Sequence, residues 1–221
     1  VAILFIQSII GTLNCYIIYR IYMVKYGSRE PLLVWFCALF PLHIFMSSQI
    51  SASNVYVFLM SLVILYYYKF LINQSWKNLV ILSISLPLLA LSRADAILII
   101  PAIIFMLFFF HKGVSRQKIL SIVLISTLIL TPMSLRSFDK FGFYYPHTIS
   151  GGLNLWLGNN SDATGSRMNY VVPYKPFPEN ILKQIDNLKI TDNYEVDLDN
   201  IYKEAAKEFM TENPLQVIQL S

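Results

Sequence analysis

The sequence predicts an all-α polytopic membrane protein, with about six apolar runs, that carries a small extracytoplasmic segment of mixed secondary structure. Three observations predict it. Of the 221 residues, 56% are hydrophobic and only 14% charged, too apolar for a water-soluble domain of this length. Most of the apolar runs approach the roughly 20 residues needed to cross a bilayer as a helix. The charge is also split. Through Met133, nine Lys and Arg stand against Glu30 and Asp95, a balance of +7, whereas the remainder has eight basic and eleven acidic residues, a balance of −3. A basic membrane portion with an acidic appendage argues for contact with membrane lipid, anionic at one face, and against nucleic acid as a partner.

Taken in order, Val1 to about Val24 is the first span, closed by Arg20, Lys25 and Arg29. Pro31 to about Met46 runs back, with Pro41 inside it, tolerable where neighbouring helices satisfy the freed carbonyl. The uncharged link Ser47–Ser53 leads to Val55–Ile72, which ends in the aromatic belt Tyr66-Tyr67-Tyr68 with Lys69 and Lys77 beyond. Asn78–Leu91 is marginal in length and stops at Ser92-Arg93-Ala94-Asp95, and Ala96–Phe110 follows at once. His111, Lys112, Arg116 and Lys118 make a further basic loop before Ile119–Met133. Residues 1–133 thus read as transmembrane helices, 134–214 as an extracytoplasmic segment and 215–221 as the start of another transmembrane helix. Val1 lies in mid-run without the basic flank of a signal peptide, so the chain reads as an internal fragment.

Three loops carry two or three Lys or Arg each, and the short loops between them carry only Arg93. The positive-inside rule places the basic loops in the cytoplasm, and the Arg93 turn and residues 134–214 outside. In that outer segment Leu153, Leu155 and Leu157 alternate with Asn154, Trp156 and Gly158, a short strand pattern. Gly158-Asn159-Asn160 breaks it and Asp162 to Gly165 supplies a second turn. Pro173, Pro176 and Pro178 punctuate a linker. Asp197 or Asp199 is placed to cap a helix reaching Glu212, with Ile201, Ala205 and Phe209 on one face.

Two places could carry chemistry. Arg93 and Asp95 sit between two short apolar runs, where charge is costly unless it pairs or lines a wet cavity. Either the two snorkel or pair with each other, or Arg93 binds the phosphate of a lipid headgroup, which a guanidinium does well. The loop from Gly151 to Gly165 is either an ordinary surface connection or a set of amides presented to a polyhydroxylated ligand. Cys15 and Cys37 lie inside apolar runs and read as core residues. His43, His111 and His147 are scattered, so no metal site is expected, and no motif for a cofactor is present.

Several segments resemble the GT-C membrane glycosyltransferases related to protein O-mannosyltransferases and to the aminoarabinose transferases of lipid A. Ala90–Ile103, ALSRADAILIIPAI, resembles the family's LTRP segment, with Ala94 in the place of the proline. Arg136 with Phe141-Gly142 resembles an R-N-x-x-x-F-G segment, with Ser137 for the asparagine. GGLNLWLGNNSDATG resembles the G-x-N-L-x-x-G-N-N-x-x-A-T-G loop, and Tyr202–Pro214 the helix before the next span. Ser53-Asn54 stands where the family often has Ser or Thr followed by an acid.

The resemblance implies a glycosyltransferase that moves a sugar from a polyprenyl-phosphate donor to an acceptor, protein, lipid or glycan, at the extracytoplasmic face. It implies an integral protein of the bacterial inner membrane. The catalytic carboxylate would lie in an outer loop before Val1. A cavity at the interface would need a cation for the donor phosphate, met by Arg93 and Arg136, and hydrogen-bonding groups for the sugar, met by Asn154, Asn159, Asn160 and Asp162. The alternative is a transporter or flippase of lipid-linked sugars, against which stands the near absence of ionisable residues within the apolar runs.

Overall fold

The computed structural model describes residues 2–144, 149–161, 163 and 179–220. The described residues are helical, with no strand among them. The chain divides into two compact units, Val1–Ser134 and Leu135–Ser221.

The first unit opens with α1 (Ala2–Tyr26), which buries Gln7, Gly11, Asn14, Cys15 and Ile17, a stripe at helical spacing. At Gly11 a Cβ would collide with the Ser47 side chain, so the glycine lets α1 and the helix bearing Ser47 approach closely. The run expected over Pro31–Met46 is two helices, α2 (Pro31–Leu39) and α3 (Pro41–Ser48), bent by 57°. The cause is local. Phe40, before the proline, is extended at φ −67°, ψ 116°, because Pro41 disfavours helical backbone there. Pro41 itself opens α3, where a missing N–H costs nothing.

The next span is α4 (Ala52–Ile72), whose N-cap Ser51 accepts a hydrogen bond from the Ser53 N–H. α5 (Trp76–Ser92) is the centre of the unit, with Leu79, Leu82, Leu86 and Leu89 almost wholly enclosed. They pack with Val63 and Phe70 of α4, Ile103 and Leu107 of α6 (Ile99–Phe109), and Ile119 and Ile122 of α7 (Arg116–Phe141). Pro87 inside α5 leaves the Ser83 carbonyl without its usual donor, and the Ser126 hydroxyl of α7 donates to it at 3.5 Å. Between α5 and α6 the chain passes through extended Arg93 and a 3₁₀ turn, Ala94–Leu98.

Length and composition make α1, α4 and α7 long and apolar enough to cross a membrane, and α2 with α3 a fourth crossing if counted as one bent span. Leu120, Leu124 and Leu128 form an exposed apolar stripe on α7, and Phe105, Phe108 and Phe109 another on α6. Such faces are unfavourable in water and well solvated by lipid. The protein is an all-α integral membrane protein.

In the second unit α8 (Gly151–Gly158) replaces the expected strand. Its buried positions are Gly152, Trp156 and, two residues past its end, Asn160. Asn154 and Gly158, which would share that face in a strand, are exposed, so the buried positions follow the spacing of a helix. Trp156 packs with Ile181 of α9 (Glu179–Asp186) and with Tyr202 and Ala206 of α10 (Tyr194–Glu212). Leu153, Leu155, Ile201 and Ala205 flank this core. α10 matches the expected amphipathic helix, but neither Asp197 nor Asp199 is its cap. It begins after Asn193. α11 (Pro214–Leu220) follows at once, opened by a proline as α3 is.

Candidate functional site

Arg93 stands at the break between α5 and the 3₁₀ turn because its extended backbone, φ −153°, ψ 137°, ends the helix there. Its Nε donates to Asp95 Oδ1 at 3.0 Å, and the two side chains are 50% and 60% exposed. The aspartate is therefore a tether at the edge of the fold and not one half of a buried ion pair. The guanidinium also lies over the Tyr56 ring of α4, with its carbon 5.2 Å from the ring centroid. A hydrogen bond from Arg93 holds the Asp95 carboxyl below the usual carboxylate range. Of the two readings of this pair, the structure shows the pairing. It uses one nitrogen of the guanidinium, and the two terminal nitrogens, which carry the fork that matches a phosphate, lie outside that bond.

Tyr56 is the member of this arrangement that the sequence did not disclose. Its signal is faint: one aromatic residue a turn into a span that begins after an uncharged link.

The asparagine cluster belongs to the second unit and is built from the end of α8. The Asn159 amide nitrogen donates to the Leu155 carbonyl at 3.0 Å, and that of Asn160 to the Trp156 carbonyl at 2.8 Å. The Asn159 backbone N–H also reaches Trp156 O, at 3.1 Å, and the Ala163 N–H reaches Asn160 O at the same distance. The last carbonyls of a helix lack intrahelical donors, and here two consecutive side chains supply them. Neither asparagine has a positive φ, so the pair is not explained by tolerance of left-handed backbone. Asn159 is partly exposed and Asn160 is buried, at 6% exposure, while Asn154 is exposed on α8.

The other end of α8 is held from a distance in sequence. The Asp199 carboxylate of α10 accepts from the Gly152 N–H at 2.8 and 2.9 Å and from the Leu153 N–H at 3.1 Å. The unsatisfied N–H groups and the positive end of the helix dipole both favour an anion there. A Cβ on residue 152 would collide with the Asp199 backbone, so only glycine admits this approach. Asp199 thus caps α8, not its own helix.

Of the remaining candidates, Arg136 is exposed on α7 and, like the asparagines, belongs to the second unit, whereas Arg93 belongs to the first. Asp162 and His147 lie outside the described residues. At the Ser53-Asn54 position, Asn54 is buried and its amide nitrogen donates to the Gln7 carbonyl at 2.7 Å and to Gln7 Oε1 at 2.8 Å. Gln7 in turn donates to the Ser51 carbonyl at 3.0 Å. An uncharged network occupies this position.

Residues 1–135 match the family model described as dolichyl-phosphate-mannose-protein mannosyltransferase. The chain belongs to this family. It is a family of membrane glycosyltransferases, so the relationship to GT-C enzymes holds for the part that contains the Arg93 break and the Gln7–Asn54 network. The mannosyltransferase match stops short of Arg136 and of α8 with its asparagines. No curated protein and no solved structure matches the chain.

Proposed function

We propose that the chain serves a glycosyltransferase that takes its sugar from a polyprenyl-phosphate donor at the extracytoplasmic face of the membrane and passes it to an acceptor hydroxyl. The observation that carries this reading is that the family match over residues 1–135 includes a half-exposed arginine fork at a break between two short apolar helices. A lipid-linked sugar cannot leave the bilayer, so its phosphate and anomeric carbon must be met at the interface. Arg93 is suited to the phosphate. Tyr56 and Asp95 both contact the guanidinium and so favour one orientation of it, which lowers the ordering cost of binding.

In the reaction the acceptor oxygen forms a bond to the anomeric carbon as the bond from that carbon to the phosphate oxygen breaks. A general base takes the acceptor proton, and the lipid phosphate leaves with the electron pair and gains negative charge. A fixed guanidinium stabilises that charge more in the transition state than in the ground state. In the second unit, Arg136 is read as a residue suited to phosphate, and Asn154, Asn159, Asn160 and Asp162 as residues suited to a sugar. For Asn159 and Asn160 the capping bonds favour an indirect part, in which they hold the turn that presents neighbouring groups.

The experiment is donor binding by the purified protein. Arg93→Lys keeps the charge but loses the planar fork, and should weaken affinity for a polyprenyl-phosphate sugar by about tenfold, while Arg93→Ala should weaken it further. Unchanged affinity in both folded variants would remove Arg93 from the donor site.

A further inference from the structure

At one end of the first unit, cations from three helices converge without a counter-charge. Lys69 lies in the last turn of α4, and Arg20 of α1 and Lys77 of α5 are near enough to repel it. Among the described residues no carboxylate pairs with any of the three. Only two acids precede Met133, Glu30 and Asp95, and Asp95 is held by Arg93 at the opposite end of α5.

Tyrosines stand where acids would be expected. Arg20 Nη1 donates to the Tyr16 hydroxyl at 2.8 Å, and Lys69 Nζ lies 4.9 Å from the centroid of the Tyr66 ring. Lys25, at the end of α1, lies 5.1 Å from the Tyr26 ring and 6.0 Å from that of Tyr68. Such rings attract a cation but leave its charge in place. Arg20 Nε is enclosed, so its second terminal nitrogen is the group left to meet an anion.

The helix dipole explains only part of this cluster. The C-terminal ends of α1 and α4 favour Lys25 and Lys69. Lys77 instead lies in the first turn of α5, where the dipole disfavours a cation, and Arg20 lies before the last turn of α1. Holding these like charges together is unfavourable, and an anion among them reverses the sign. Tyr66, Tyr67, Tyr68 and the exposed Trp76 mark the depth as that of lipid headgroups.

We propose that Arg20, Lys69 and Lys77 bind the phosphate of an anionic phospholipid whose chains remain in the surrounding bilayer. Lys77 and Arg93 stand at opposite ends of α5, roughly 24 Å apart at 1.5 Å per residue. The site is therefore separate from the proposed donor phosphate site and does not rest on it.

The test is native mass spectrometry of the purified full chain in detergent, titrated with phosphatidylglycerol or phosphatidylcholine. The first phosphatidylglycerol should bind at least about tenfold more tightly than the first phosphatidylcholine. Lys69→Gln and Lys77→Gln should each weaken phosphatidylglycerol binding about fivefold, the worth of one basic residue near an anionic surface, and leave phosphatidylcholine unchanged. Lys77 is exposed, so its replacement leaves the packing intact. Lys112→Gln removes the same charge from an exposed position in the loop after α6, outside these contacts, and should have no effect. Equal binding of the two lipids, or equal weakening by Lys112→Gln, would mean diffuse charge and no site. Displacement of phosphatidylglycerol by millimolar inorganic phosphate would mean a site for a soluble anion. Any of these results overturns the proposal.

Discussion

Asn159 and Asn160 show how a side chain that looks made for a ligand can instead be spent on the backbone. Each amide nitrogen donates to a carbonyl four residues earlier, and neither residue needs a left-handed conformation. Replacement by glycine or by alanine should therefore have the same effect, since both remove the amide. Losing one such bond is worth roughly 0.5–1.5 kcal/mol, with the larger figure at buried Asn160. Asn160→Ala and Asn160→Gly should each raise amide hydrogen exchange over Gly151–Gly158 by up to about tenfold. Exchange unchanged in both would mean that the amides do not hold the turn. If glycine alone preserved protection, backbone freedom would be the property that matters.

Helix α8 has one anchor at each end, and only the nearer one is written in its own sequence. The farther anchor, Asp199, predicts that Asp199→Ala should destabilise the α8–α10 pair by about 1 kcal/mol, as loss of a helix cap does. Gly152→Ala should cost about 1–3 kcal/mol, because α10 backbone occupies the place of the new methyl. Limited proteolysis of the second unit under mild denaturant measures both. An unaffected Gly152→Ala would contradict the close approach. The same elements show what the sequence disclosed. Hydropathy and basic flanks sufficed to find α1, α4 and α7, since length and solvent preference decide a membrane span. Three alternating leucines over Leu153–Leu157 suggested a strand. The packing that decides the matter lies far off in sequence: Gly152 meets Asp199, and Trp156 packs with Ile181, Tyr202 and Ala206. The bend at Phe40 is legible in Pro41, because a proline is better suited to open a new helix than to sit inside an old one. Arg93 and Asp95 were found because charge between apolar runs is conspicuous. Tyr56 and Asn14 are not conspicuous, because one polar or aromatic residue in a span carries no local signal of what it faces.

For the molecule as a whole, the Lys and Arg asymmetry predicts that the Lys25–Arg29, Lys69–Lys77 and His111–Lys118 loops face the cytoplasm and residues 134–214 the exterior. Ser161 and Gln117 are both exposed, so with Cys15 and Cys37 replaced they report on sidedness without being screened by the fold. In intact cells a membrane-impermeant thiol reagent should modify Ser161→Cys and spare Gln117→Cys. Modification at 117 from outside would invert the arrangement. The predicted outward placement of residues 134–214 and the arginine fork between two short apolar helices support one claim, that this membrane glycosyltransferase draws on a lipid-linked donor. The most direct measurement is transfer itself, with the full-length protein in proteoliposomes given a polyprenyl-phosphate donor whose sugar is radiolabelled, together with membrane extract as the source of acceptor. Label should appear on the acceptor at a rate that falls at least about tenfold with Arg93→Ala, the loss of a charge-assisted contact to phosphate. Movement of the donor across the bilayer with no label transferred would contradict the account.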